Sequence, residues 1–122
     1  MELQPLYQRV VGLDVHQAQI TACAILEADD GSSRVEHRQF GSFKRDRRAL
    51  AEWVVEVGAQ EVIMESTGIY WKSPYAALEA VGIQAKVVNA RHVKSVPGRK
   101  TDIGDAQWLA TLGRAGLLRG SF

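Results

Sequence analysis

The sequence contains a single cysteine, Cys23, and no apolar run close to the length of a membrane helix. One cysteine excludes a disulfide framework and favours a reducing compartment. A membrane span needs roughly 20 apolar residues, and the short polar segment Met1 to Arg9 does not resemble a signal peptide. Internal repeats and low-complexity segments are also absent. With 46% apolar and 24% charged residues, the chain is expected to be one globular domain over residues 1–122, located in the cytoplasm without a membrane partner.

The net charge is small, at +1, but the charges are unevenly distributed. Residues 1–85 carry 8 basic and 12 acidic side chains, whereas residues 86–122 carry 7 and 2. A positive excess at one end suits the binding of a polyanion such as nucleic acid. It is equally typical of a solvated basic face, so both interpretations stay open.

Hydrophobic periodicity predicts the element order β-β-β-α-β-α-β-α. The predicted strands cover residues 10–16, 19–26, 34–40, 61–65 and 83–88. The predicted helices cover residues 44–57, 74–81 and 102–115, with Ser42 as a cap of the first. Right-handed crossovers would make the first, fourth and fifth strands parallel, in a mixed sheet covered by helices. The fold class is therefore α/β.

Four acidic residues are predicted to lie beyond the carboxyl ends of the parallel strands, where functional groups of such sheets are usually found. Asp14 and Glu65 are near the ends of two strands predicted to be parallel, and such ends share one edge of the sheet. Asp102 and Asp105 begin the last predicted helix and share one of its faces. Helix capping alone would explain the second pair, with Asp102 as the N-cap. Four converging carboxylates would instead require cations, and hard oxygen ligands favour Mg²⁺ or Mn²⁺.

Three motifs resemble the signatures of the DEDD transposases of bacterial insertion sequences and of the related Piv-type DNA invertases. In chain order they are Gly12-Leu13-Asp14-Val15-His16, Met64-Glu65-Ser66-Thr67-Gly68-Ile69-Tyr70 and Lys100-Thr101-Asp102-Ile103-Gly104-Asp105-Ala106. The basic segment over residues 89–94 is also similar to one that is common in this family. The resemblance extends over nearly the whole chain, from about Val10 to Leu118.

The resemblance implies a ribonuclease H-like, RuvC-like fold, in agreement with the predicted element order. It implies that Asp14, Glu65, Asp102 and Asp105 form an acidic tetrad that binds divalent metal, with two Mg²⁺ or Mn²⁺ ions expected. The implied activity is DNA strand cleavage and joining in transposition or site-specific recombination. In family members a structured guide RNA directs it, and the full-length proteins are expected to be homo-oligomers. Those proteins have a second domain with a nucleophilic serine, so residues 1–122 resemble the N-terminal catalytic domain alone.

Several other side chains are candidates for contact with DNA or RNA. Four basic residues precede the paired aspartates and would contact phosphates without reading sequence, namely Arg91, Lys94, Arg99 and Lys100. A second basic cluster suits either phosphate contact or a solvated helix face, and consists of Lys44, Arg45, Arg47 and Arg48. Tyr70 and Trp71 suit either stacking on an unpaired base or packing of the next helix. His16 suits either the edge of the site or a strand end that faces water.

Two other classes of protein are alternatives to this interpretation. Actin-like and sugar-kinase ATPases open with a similar strand and aspartate, but they need a glycine-rich or hydroxyl-bearing phosphate loop. The segment Val15 to Gln19 provides neither residue type. A non-catalytic RuvC-like module that only binds nucleic acid or mediates assembly is the stronger alternative.

Overall fold

A five-stranded mixed sheet with helices on both faces organises the chain. The computed structural model describes residues 6–66, 68–95 and 104–120. The strands are β1 (Arg9–Val15), β2 (Gln19–Glu27), β3 (Ser33–Gly41), β4 (Glu61–Ser66) and β5 (Lys86–Val88). The helices are α1 (Lys44–Glu56), α2 (Lys72–Glu79), α3 (Ala90–Ser95) and α4 (Asp105–Arg114). Within these ranges no helix has the length and apolarity needed to cross a bilayer.

The strand order across the sheet is β3-β2-β1-β4-β5. The first three strands form an antiparallel meander, and β1, β4 and β5 run parallel to one another. The prediction that the first, fourth and fifth strands are parallel is therefore confirmed. Since β4 pairs with β1, the carboxyl ends of the two strands that carry the candidate acids meet at one edge of the sheet.

The two faces of the sheet have separate apolar cores. Alternate residues of β1, including Val11 and Leu13, pack under α1 and α2 in a core that contains Leu50, Trp53 and Leu78. The remaining residues of β1 point to the opposite face, which α4 covers. There the core consists mainly of Ile63, Val88, Val93, Leu109, Leu112 and Leu118. Trp53, Leu109 and Leu112 are buried in these cores, while Trp108 is half-buried at the margin of the second core.

Glycines allow α4 to lie directly on the sheet. A Cβ atom at Gly12 would lie 2.7 Å from the backbone nitrogen of Ala110 and would also clash with the carbonyl oxygen of Ala106. One to two turns further along the helix, a Cβ atom at Gly113 would lie 2.5 Å from Cγ1 of Ile63. The same Cβ atom at Gly113 would lie 3.5 Å from Cγ2 of Val10, two residues before Gly12, so later residues of α4 lie nearer the amino end of β1 and helix and strand are antiparallel. The N-terminal end of α4 therefore points to the carboxyl end of β1.

The start of α4 differs from the prediction. The helix begins at Asp105, and Gly104 is its N-cap in an extended conformation without a capping side chain. The helix predicted over residues 102–115 thus starts three residues later in the structure, and Asp102 lies outside the described residues. Glycine and aspartate are both favoured at the N-cap, so a single sequence does not distinguish Gly104 from a nearby aspartate.

Three other boundaries differ as well. Phe43, and not Ser42, is the N-cap of α1, because the Asp46 carboxylate accepts the Phe43 backbone N–H at 3.1 Å. The last strand was predicted over residues 83–88 but spans only Lys86–Val88, because only three of its residues pair with β4. The helix Ala90–Ser95 was not predicted, because its six residues are too few for a clear helical period.

The contact at Gly12 leads to a stability prediction. Gly12→Ala should lower the free energy of unfolding by about 2 to 3 kcal/mol, because the added methyl group meets helix backbone that cannot move aside alone. Urea denaturation followed by tryptophan fluorescence measures the change. Gly104→Ser is the matched control, since nothing lies within 4 Å of a Cβ atom there and serine is a good N-cap. Equal stability of both variants would contradict the proposed close contact.

Cys23 gives a second, independent measure of α4 docking. It pairs with Gly12 in the sheet, is fully buried, and burial raises the pKa of its thiol from 9.0 to about 11. At pH 8 the thiolate fraction should thus be about a hundredfold below that of a free thiol. We expect Ellman's reagent to react slowly with the native protein and much faster with Gly12→Ala. Rapid reaction of the native protein, at the rate of the urea-unfolded chain, would show that α4 does not cover this thiol.

Candidate functional site

Asp14 and Glu65 are direct partners across the parallel pair β1 and β4. Both follow residues of the α4-covered face by two positions, Asp14 after Gly12 and Glu65 after Ile63, so both side chains lie on that face. The side chain of Asp14 is 16% exposed, and Glu65 is half-buried. Adjacent strands lie about 4.8 Å apart, which makes the two carboxylates neighbours. Neighbouring carboxylates repel each other unless a cation, a proton or a hydrogen-bond donor close to them offsets the charge.

His16 belongs to this acid pair through a contact with Asp14. Its Nε2 atom lies 3.1 Å from Oδ2 of Asp14, while 53% of its side chain is exposed. The backbone N–H of His16 donates to the carbonyl of Gln19 at 2.9 Å and closes the tight turn between β1 and β2. His16 therefore faces water at the end of its strand and also lies beside the acid pair. The short turn fixes the position of the imidazole beside the carboxylate.

The neighbours of the acid pair along the same row of the sheet differ in polarity. Thr21 of β2 is the partner of Asp14 and is half-buried. Val88 of β5 is the partner of Glu65 and is almost fully buried. The pair thus has a hydroxyl-bearing residue on one side and an apolar wall on the other. Sequence reasoning missed Thr21, because only the register of β2 on β1 brings it beside Asp14.

Asp105 is the first residue of α4 and is exposed. Its neighbour Ala106 touches Gly12, and the N-terminal end of α4 points towards Asp14. Asp105 therefore lies at the edge of the sheet where β1 and β4 end. Over residues 6–66, 68–95 and 104–120, however, no three acidic, histidine or cysteine side chains are close enough to hold a metal ion together. Asp102 lies outside the described residues. The structure thus places Asp14 beside Glu65 and directs the start of α4, with Asp105, to the same edge of the sheet.

The basic candidates are only partly described. Arg91 is exposed on α3, which directly follows β5 and therefore starts at the edge where the acid pair lies. Arg99, Lys100 and the side chain of Lys94 lie outside the described residues.

A different acid, Glu61, illustrates how this fold neutralises a carboxylate that has no role in the site. It is buried at the amino end of β4, where the Lys86 ammonium lies 2.9 Å from its Oε2 atom. The hydrogen bond to Glu61 raises the pKa of Lys86, and the charge of Glu61 raises the pKa of Tyr7. The amino end of β4 therefore carries an ion pair between Glu61 and Lys86, whereas at its carboxyl end Glu65 adjoins Asp14.

Comparisons with known proteins identify the family and the fold. A model of the IS110-type DEDD transposase family, described as transposase, matches residues 11–122. The structure of Thermus thermophilus RuvC in complex with a Holliday junction substrate superposes with a TM-score of 0.65 at 11% sequence identity, over 93% of this chain and 99% of that chain. A second Thermus thermophilus RuvC structure gives a TM-score of 0.61 at 12% identity, over 92% and 99%. No curated protein matches the sequence. The fold is therefore that of RuvC, which is ribonuclease H-like, as predicted.

The like charges of the acid pair lead to a prediction for the metal-free protein. In the presence of a chelator at neutral pH, Asp14→Asn should raise the free energy of unfolding by about 0.5 to 1 kcal/mol, because it removes a cross-strand repulsion. Asparagine retains an oxygen that can accept a hydrogen bond from His16. Chemical denaturation in EDTA measures the change, with Asp29→Asn in the exposed β2–β3 turn as a control of equal charge. A loss of stability in Asp14→Asn would show that the carboxylate serves the fold.

Proposed function

Since the chain belongs to the DEDD transposase family of the IS110 type, we propose that residues 1–122 form its catalytic domain and take part in cleaving and joining DNA strands. The observation that supports this proposal best is the direct pairing of Asp14 with Glu65 at the carboxyl ends of two parallel strands. Two half-buried carboxylates side by side repel each other. Their presence at the edge where α/β folds place ligands favours a function.

The residues present fit a divalent cation. Carboxylate oxygens are the hard ligands that Mg²⁺ and Mn²⁺ prefer, and Asp14 retains enough exposure for an ion to reach it. We propose that Asp14 and Glu65 hold the metal with Asp105 and Asp102, completing a tetrad for two ions. When bound, such ions stabilise the attacking and leaving oxygens of an in-line phosphoryl displacement.

The protein's own residues position these ligands. His16 holds the Asp14 carboxylate at 3.1 Å, and the absence of a side chain at Gly12 lets α4 carry Asp105 to the same edge. Val88 limits the access of water to Glu65 from the side of β5. Arg91 at the start of α3 would contact a DNA phosphate and position the strand, together with Lys94, Arg99 and Lys100.

The partners follow from the same proposal. The Thermus RuvC structure contains a Holliday junction, and we propose that branched DNA is also the substrate here. The family resemblance supports guidance by a structured RNA, assembly of the full-length protein into homo-oligomers and a cytoplasmic location. The resemblance also assigns a serine nucleophile to a second domain, so strand joining would depend on that domain.

Calorimetric titration of Mn²⁺ tests the metal site. We expect wild type to bind Mn²⁺, and both Asp14→Asn and the double variant Asp102→Asn/Asp105→Asn to lose most of that affinity. Asp29→Asn, in the turn remote from the site, should bind as wild type does. Unchanged affinity in Asp14→Asn would refute the site.

A cleavage assay on a four-way DNA junction, with and without Mn²⁺, then separates the two candidate functions. Metal-dependent nicking that Asp14→Asn abolishes would support the nuclease. Binding of the junction by wild type without nicking would favour the non-catalytic binding module.

A further inference from the structure

A cleft of about 420 Å³ opens beyond the carboxyl end of β1, on the face of the sheet that α1 and α2 cover. Its lining residues come from the β1–β2 turn, the N-terminal parts of α1 and α2, and the segment that precedes α2. The volume falls within the range of about 300 to 1,000 Å³ that is typical of ligand sites. The acid pair described above does not line this cleft.

His16 separates the cleft from the acid pair. The residue lines the cleft, and its Nε2 atom lies 3.1 Å from Oδ2 of Asp14. A chain that occupies the cleft and continues past His16 therefore arrives directly at the Asp14 carboxylate. The cleft is thus placed to hold the part of a bound polymer that adjoins the reacting position.

The charge of the cleft suits an anion. Arg47 of α1 and Lys72 of α2 both line it, with the hydroxyl residues Ser42 and Ser73, and no carboxylate occurs among its described lining residues. Arg47 is half-buried, and its Nη1 atom donates to the carbonyl of Ser42 at 2.5 Å, which anchors the guanidinium at the cleft wall. An excess of positive charge continues beyond the cleft, since Arg47 also lines an adjoining groove with Lys44 and Arg48, whose one acidic lining residue among those described is Glu52.

The rim of the cleft is aromatic and apolar. Tyr70 is 39% exposed and Ile69 is 68% exposed, although both line the cleft. The neighbouring Trp71 has a different role, because it packs edge-on against Tyr75 with 5.6 Å between ring centroids and contacts the core under α2. Helix packing therefore accounts for Trp71 and leaves the ring of Tyr70 open to a ligand.

We propose that this cleft binds an unpaired nucleotide of the DNA strand next to the reaction site. Arg47 and Lys72 contact its phosphate groups, and its base stacks on Tyr70. An unpaired strand is favoured over a duplex because stacking on an aromatic side chain requires a base with a free face. The inference rests on the proposed function, since it identifies the form of nucleic acid that this site accepts.

Binding of a fluorescein-labelled single-stranded 20-mer, measured by anisotropy in EDTA over a series of salt concentrations, tests the proposal. Lys72→Gln and Arg47→Gln should each lower the slope of log affinity against log salt by about 0.7, the value for one phosphate contact on a single strand. Tyr70→Ala should weaken binding about tenfold, while Tyr70→Phe retains the ring and wild-type affinity. Arg34→Gln, on the edge strand β3, is the control of equal charge and should leave slope and affinity unchanged.

Three results would overturn the proposal: no binding of the 20-mer by wild type, equal or tighter binding of the matching duplex, or an unchanged slope in Lys72→Gln. Lys72 is exposed, so misfolding would not explain an effect of its replacement. Because EDTA removes divalent metal, this assay reports DNA binding without a contribution from the metal site, and the Lys72→Gln and Tyr70→Ala variants report the part that the cleft contributes. Normal binding with no metal-dependent cleavage would instead refute the proposed nuclease and leave the cleft in place.

Discussion

The close contact between α4 and the backbone of β1 at Gly12 is the constraint on which the rest of the structure depends. A helix that lies this near to a strand covers Cys23, completes the second apolar core and directs its N-terminal end to the edge where Asp14 and Glu65 meet. Any side chain at position 12 would raise the helix and thereby move Asp105 away from those acids. The residue that limits the geometry of the site thus has no side chain of its own.

The other end of α4 fixes the helix along its axis. The carbonyl of Arg114 accepts hydrogen bonds from the backbone N–H groups of Leu6 and Tyr7, at 2.7 and 3.1 Å. The guanidinium of Arg114 lies 2.8 Å from Oε2 of Glu27 on β2. These contacts at the amino edge of the sheet set how far α4 reaches towards the carboxyl edge, because a helix of fixed rise cannot shift at one end alone. Residues remote from the acid pair therefore determine the position of Asp105.

Much of this arrangement could be predicted from the sequence, and the failures have physical causes. The parallel arrangement of the strands of Asp14 and Glu65 was predicted from the right-handed crossover that connects them, and it is confirmed. The start of α4 was predicted three residues too early because an aspartate and a glycine two residues apart are both suited to a helix start. Thr21 and the cleft beside His16 could not be predicted, since they depend on strand register and on two helices that converge from distant parts of the chain. Local patterns describe elements, whereas these features depend on how elements meet.

The separation in sequence between Gly12 and α4 has a consequence for the order of folding. The meander of β1, β2 and β3 consists of neighbouring segments, so it closes short loops and can form early. Docking of α4 joins opposite ends of the described chain and requires β4 to be in place, so the entropy of loop closure makes it a late step. The acid pair on the sheet thus exists before the helix that brings the third acid. A nascent chain would then acquire any ability to cut DNA only once the rest of its fold is complete.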